Sequence, residues 1–334
     1  MTDLLDERRP VGPRGLPLPR LGLGTAPLGN LYRAVDDDTA RGVLDTAWDL
    51  GVRHFDTAPH YGLGLAERRL GAALAGRPRD EVVVSTKVGR LLRPNPHPTG
   101  SDLAHVFEVP DDLTRVRDYS ADGVRRSLEE SLERMGLDRV DVVYVHDPDD
   151  HLDQAVAEAV PALAALRDEG VVGAVGAGMN QGPALERIVR ESDVDVVMLA
   201  GRWTLLDRSG LPLLETCAER GVAVVAAAPY NSGILATDTP PADAHFDYGP
   251  AGPQLVARAH ELAALAAAHG TRLPHAALHF PPRHPSVAAV VAGAADPDQV
   301  RALVEGARAT VPPAFWAAAD PTDPRPTART GDPS

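Results

Sequence analysis

The chain has 334 residues, 44% of them hydrophobic, one cysteine and a formal net charge of −14. That is enough apolar material for one large core, and the acidic balance argues against a nucleic-acid or anionic-membrane partner while leaving a small-molecule substrate open. A single cysteine excludes an intramolecular disulfide; with no apolar leader after Met1 and no uncharged run of membrane-spanning length, a soluble cytoplasmic protein is expected.

Along the chain, residues 10–19 read as a small hairpin that plugs one end of the fold. Apolar, β-branched runs then recur at 21–25, 53–57, 82–87, 141–146, 171–177, 194–200, 222–227 and 287–292. Nearly continuous runs such as Val82-Val83-Val84 suit strands covered on both faces. Helical patterns lie between them. Asp38 is expected to cap a helix over 39–50 that Gly51 ends, Gly136 to close one over 124–135, and Gly170 one over 155–169. Cys217 falls on a helix face and reads as a packed thiol. Helices over 254–269 and 298–308 complete the series.

Eight strand–helix units predict a parallel sheet closed into a single (β/α)8 TIM barrel over residues 1–319, with a disordered tail over 320–334. Two connections, 90–119 and 231–253, are long and read as unstructured. Both leave the C-terminal ends of strands, the face on which such barrels carry their sites.

Three strands in succession end in Asp56, Lys87 and His146, and Tyr61 follows Asp56 in the next loop. A lone lysine at a strand end is ordinarily a solvated charge; the four together read as one proton-transfer site. A lysine beside a tyrosine favours the phenolate, so Tyr61 is expected to exchange its proton near neutral pH. The run His146, Asp147, Asp149, Asp150 and His151 offers a rival reading as a metal site. Four of the five sit in one Pro-interrupted loop, whereas barrel metal sites recruit from several strands, so no metal is expected.

With these motifs in hand, the chain resembles the aldo-keto reductase superfamily over about residues 15–318. The stretches 146–151, 199–206 and 228–235 narrow the resemblance to a branch holding aldose and pyridoxal dehydrogenases. The resemblance implies Tyr61 as general acid/base, Lys87 lowering its pKa, Asp56 fixing Lys87, and His146 orienting the reacting oxygen. It implies a nicotinamide dinucleotide held by Asn180 at the carboxamide, by Ala228, Tyr230 and Ser232 over the pyrophosphate, and by Gly293, Ala294, Asp298 and Gln299 at the adenosine phosphate. The usual serine beside Asn180 is Met179. Ala227 replaces the usual stacking aromatic, and Trp203 is a candidate either for that space or for the core. Gln299 stands where a basic residue is usual and Leu303 where an adenine-contacting asparagine is, so the cofactor is expected to be NAD rather than NADP, with Arg301 the one cation able to reach in. The implied reaction is oxidation of a free aldose at C1 to the lactone. Alternatives are a pyridoxal 4-dehydrogenase, a small-aldehyde reductase, or a cofactor-sensing subunit. Trp48 is expected on a helix face, Trp316 over the pocket, and His97 or His245 at the substrate mouth.

Overall fold

The computed structural model describes residues 3–247 and 249–319; the tail expected over 320–334 lies outside them. Strands β1 (Arg8–Val11) and β2 (Leu16–Pro19) pair as an antiparallel hairpin. Then come β3 (Leu21–Gly24), β4 (His54–Asp56), β5 (Val83–Val88), β6 (Arg90–Pro94), β7 (Leu113–Arg117), β8 (Val142–His146), β9 (Ala174–Met179), β10 (Val196–Ala200), β11 (Ala223–Ala227), β12 (His245–Phe246), β13 (Gly249–Pro250) and β14 (Val287–Gly293). Strands β3, β4, β5, β8, β9, β10, β11 and β14 close in that order into a parallel barrel. All eight expected barrel strands form. The largest boundary shift is at β9, where Val171 and its neighbours stay outside the ladder.

Period-2 alternation sorts the strand side chains into two cores. Val83, Val142, Tyr144, Met198 and Val225 point inward and pack with Val11 and Leu18 of the hairpin, which therefore plugs the N-terminal end as expected. Their neighbours, among them Phe55, Val84, Val143, Val145 and Leu199, point outward beneath the helices. Each such valine or leucine, fully buried, contributes about 1.5–3 kcal/mol. Strands β9 and β10 approach so closely at Gly176 that a Cβ there would lie 1.6 Å from the Val196 carbonyl oxygen. Only glycine fits.

Helix ends follow local chemistry with one correction. The first helix is Asp37–Asp49, and its cap is Asp36 rather than Asp38: the Asp36 carboxylate accepts from the Thr39 N–H at 2.7 Å. Three consecutive aspartates were equivalent by type, and the extended backbone of Asp36 chose between them. Gly136 and Gly170 end their helices in left-handed geometry, as expected. The helix before Gly170 begins with a π turn at Ala155–Ala159. It precedes Pro161, which has no N–H to continue the ladder.

Segment 90–119 also departs from expectation. It is largely an ordered antiparallel hairpin, β6 against β7, rather than an unstructured loop. Among its described residues, segment 231–253 carries only the short β12–β13 pair and is tied down by Arg202 to Asp247 and by Arg272 to Asp238. Trp48 is half-buried on its helix with the Arg53 guanidinium 3.9 Å above the ring. Trp316 does not cover the pocket: it is buried against Phe315 and Arg283, near the start rather than the end of β14. Cys217 is buried, and burial pushes its thiol up to about 12, which leaves it inert as a nucleophile. Among the described residues, no helix is long and apolar enough to cross a membrane.

Candidate active site

Strands β4, β5 and β8 are neighbours, so their inward-facing last residues meet at one end of the barrel. Lys87 Nζ donates to Asp56 Oδ2 at 2.7 Å and to the Thr57 carbonyl at 3.0 Å. The other Asp56 oxygen accepts from the Ser85 hydroxyl at 2.8 Å, and Ser85 lies 3.4 Å from His54 Nε2. The pair is only 2% and 4% exposed. Desolvating two charges this fully is costly, and these extra hydrogen bonds offset the cost.

Tyr61 reaches the pair from the turn after β4. Its loop closes against the loop after β3 through two glycines packed backbone to backbone: a Cβ on Gly62 would fall 2.2 Å from the Gly29 oxygen. The Lys87 ammonium sits 4.7 Å from the Tyr61 ring centre. The His146 ring stands edge-on to Tyr61 with centroids 6.0 Å apart. His60 and Phe107 complete the aromatic wall, Phe107 lying 5.1 Å from His60 and 6.2 Å from Tyr61. All four expected proton-handling residues are therefore together.

Their ionisation differs from expectation at Tyr61. Desolvation pushes the phenol up from its usual value; Lys87 pulls it back, but not below that value. The expected net lowering is absent because burial desolvates the phenol more than Lys87 offsets, with the Asp56 charge raising it further. Burial by itself would lower Lys87, yet Asp56 and Tyr61 outweigh it, so the lysine is held above its usual value and stays charged. Burial, with Arg90 and Lys87 adding to it, keeps His146 well below the usual imidazole value. That leaves a neutral ring beside a phenol and a permanent cation, a set that can pass a proton to or from an oxygen and stabilise the resulting charge.

The neutral histidines predict an acid sensitivity. Burial takes His54 down to about 4 and lowers His60 and His146 as well. Below 6.5 the unfolded chain protonates these rings and the folded chain does not. Their contribution to stability is thus present above 6.5 and lost as pH falls, at about 1.4 kcal/mol per pH unit for each of the fully buried His54 and His146. A urea-midpoint series should fall from about pH 6.5 to 5; a flat series would mean the rings are not held neutral.

The expected cofactor positions surround this centre at the C-terminal ends of β9, β11 and β14. The Asn180 side-chain amide has no protein partner among the described residues, while its carbonyl accepts from Arg202 Nε at 3.1 Å. Ala228 and Ser232 both stand at positive φ, 54° and 56°, and Tyr230 between them is half-buried. Gly293 is exposed at the end of β14 beside Gly24, Ala294 is buried, and Asp298 is exposed and paired to Arg301 at 3.0 Å. Gln299 folds back, its Oε1 accepting from the Ala295 N–H at 2.8 Å. The helix Pro297–Arg308 is capped by Asp296, whose carboxylate takes the Gln299 N–H at 2.9 Å. The exposed positions Ala228, Ser232 and Gly293 and the Asn180 side-chain amide fit an extended dinucleotide. Trp203 is no part of it: it stacks on Phe280 at 5.1 Å and donates Nε1 to the Pro281 carbonyl, a core residue of the outer layer.

The rival metal-binding run is committed elsewhere, with Asp147 paired to Arg90 at 2.6 Å, Asp150 to Arg117 at 3.1 Å, and His151 against the Tyr119 ring. His97 is exposed, and His245 lies 6.4 Å from Tyr32. Ser85, His60, Phe107, Arg90 and Tyr119 were not foreseen in the site. Only Ser85 and His60 left a signal, each lying within a motif already singled out.

Comparison with known proteins gives the family and the fold. The aldo/keto reductase family profile matches residues 20–322. The chain is 50% identical to D-threo-aldose 1-dehydrogenase of Pseudomonas sp. over 91% of its length and 93% of that protein's. It is 36% identical to pyridoxal 4-dehydrogenase of Microbacterium luteolum, covering 93% of this chain and 95% of that one. An aldo-keto reductase from Bacillus halodurans, solved in its holo form, superposes with a TM-score of 0.72 at 26% identity, covering 94% of each chain.

Proposed function

The chain belongs to the aldo/keto reductase family, and from that premise we propose that it oxidises a free aldose at C1 to the lactone, using NAD in preference to NADP, within a single domain over residues 1–319. The observation that carries this reading is the buried Lys87–Asp56 pair set beneath Tyr61, with neutral His146 across from it. The 50% identity to an aldose dehydrogenase supports the choice of substrate.

In this reading the sugar's C1 hydroxyl hydrogen-bonds Tyr61 and His146. Once ionised, the Tyr61 phenolate takes its proton as the C1–H bond breaks, and the Lys87 ammonium stabilises the negative charge shared between the Tyr61 oxygen and the substrate oxygen. Asp56, through its 2.7 Å bond, keeps Lys87 charged and in place. His146 can donate to the reacting oxygen because it is neutral and does not compete for the proton. The nicotinamide, when bound, supplies the hydride acceptor.

Asn180 would hold the carboxamide, Ala228, Tyr230 and Ser232 the pyrophosphate, and Gly293, Ala294, Asp298 and Gln299 the adenosine end. The preference for NAD rests on that last group. A 2′-phosphate requires a cation; here the helix start is already taken by the Asp296 carboxylate, and Arg301 is paired to Asp298.

The test is the rise in reduced-nicotinamide absorbance with NAD or NADP and L-fucose, D-arabinose, L-galactose, pyridoxal or pyridoxine. Turnover of the aldoses with NAD is expected. Turnover of pyridoxal alone would move the substrate to vitamin B6. No turnover despite cofactor binding would favour a carbonyl reductase or a sensing subunit.

A further inference from the structure

One acidic side chain at this centre has no task in the proton transfer. Asp147 directly follows His146 and stands at φ +39°, in the left-handed region that strains a residue bearing a Cβ. Its backbone is clamped on both sides: the N–H donates to the Gly178 carbonyl at 3.1 Å, and the carbonyl accepts from the Tyr119 hydroxyl at 2.9 Å. Tyr119 also donates to the His146 carbonyl, at 2.7 Å. This tyrosine fits only because Gly89, at φ +99°, has no side chain; a Cβ there would lie 2.3 Å from the ring. Strain held in place by this many contacts, next to reacting groups, marks a position kept for function.

The carboxylate is aimed at the centre. Its Oδ2 takes the Arg90 guanidinium at 2.6 Å and lies 3.5 Å from His146 Nε2, so the carboxylate borders the ring expected to meet the reacting oxygen. A third of the side chain remains open, and Oδ1 has no hydrogen-bond partner among the described residues. An ionised carboxylate can only accept, so its open oxygen calls for a donor such as a hydroxyl.

We propose that Asp147, positioned by Arg90 and Tyr119, accepts a hydrogen bond from the hydroxyl on the carbon next to the reacting one, so that the enzyme selects sugars carrying a C2 hydroxyl. The inference rests on the sugar-oxidising reading above. It adds a specificity residue to that reading, and it separates Asp147 from a role in merely orienting His146. An orienting role would slow every substrate alike, whereas a hydroxyl-reading role acts only on substrates that carry the hydroxyl.

D-arabinose and 2-deoxy-D-ribose differ only at C2 and offer the same C1 hemiacetal, so their kcat/KM values isolate the contact. The wild-type enzyme should favour D-arabinose roughly 10- to 100-fold, the range for a hydrogen bond to a charged group. Asp147→Gly removes the carboxylate and accepts positive φ without strain; it should erase most of that preference by lowering kcat/KM for D-arabinose. Three results would overturn the inference: equal wild-type kcat/KM for the two sugars, a variant that slows both equally, or a variant that keeps the preference. Should the variant fail to fold, equal wild-type kcat/KM for the two sugars would still overturn the inference. If the wild-type enzyme oxidises neither sugar yet binds NAD, the sugar reading falls and the inference with it; if it oxidises both alike, only the inference falls.

Discussion

Tyr61→Phe is expected to lower aldose turnover by about a hundredfold or more while leaving cofactor affinity and the melting temperature close to wild type. The phenylalanine keeps the ring that packs against His60, Phe107 and His146, so the wall of the site survives. What it removes is the phenol oxygen, which interacts with the Lys87 ammonium. The lost interaction is made as the proton moves, so kcat should fall and KM should change little. Steady-state kinetics with a cofactor titration would show this, and near-wild-type turnover would remove Tyr61 from the mechanism. The raised phenol adds a second reading of the same experiment. Desolvation holds the Tyr61 proton on in the protein by itself, and a bound oxidised nicotinamide would supply positive charge that favours its loss. Wild-type kcat/KM should accordingly rise with pH, and the variant's residual rate should not.

Asp56→Asn should cost about 3–5 kcal/mol of stability, because it leaves a fully buried ammonium without its counter-ion. Folded proteins hold only about 5–15 kcal/mol in all, so this is a large share. The asparagine can still accept from Ser85 or Lys87, and the packing is unchanged; the loss is electrostatic. The sign of the pH dependence identifies it. In the wild-type protein Lys87 is raised above 10.5, so its contribution is fully present below that value and is lost only at higher pH. In the variant only Tyr61 still opposes burial, and the folded lysine is expected to drop below 10.5. The unfolded chain then binds more protons, and stability must rise with pH up to about 10. Urea unfolding at several alkaline pH values would show a variant that gains stability where the wild-type protein gains none from this residue. An Asp56→Asn protein of wild-type stability at neutral pH would mean the pair is better solvated than its 2–4% exposure indicates.

Much of the architecture could be read without coordinates, for reasons that are local. Runs such as Val142 to Val145 are apolar on both faces, and a buried parallel strand is the structure that can cover both. Gly136 and Gly170 adopt the left-handed backbone that ends a helix, a property of the residue rather than of its neighbours. Asp56, Lys87 and His146 could be grouped because consecutive parallel strands carry their ends to the same face, so a position in a one-dimensional pattern already implies a place in the barrel. The choice of Asp36 over Asp38 as cap was not legible, since it depended on which of three like residues the backbone left extended.

By itself, then, the sequence determined the barrel, the plug at its N-terminal end and the four side chains gathered at its C-terminal end, because strand period, turn chemistry and parallel connection act over short stretches of chain. Tertiary structure alone decided the rest. Segment 90–119 became a hairpin because Arg115, bonded to the His60 carbonyl, and Phe107, bridged to Leu31, found partners across the fold. Trp203 and Trp316 went to the outer layer because Phe280 and Arg283 came to lie beside them. The Tyr61 phenol stayed high because the surrounding side chains desolvate it more than Lys87 offsets and the Asp56 charge raises it further. Asp147 turned toward the centre because Gly178, Tyr119 and Arg90, each from a different element, hold it in a backbone state it would not adopt unaided. Burial and charge are sums over neighbours from the whole chain, so these outcomes exist only once the chain is folded.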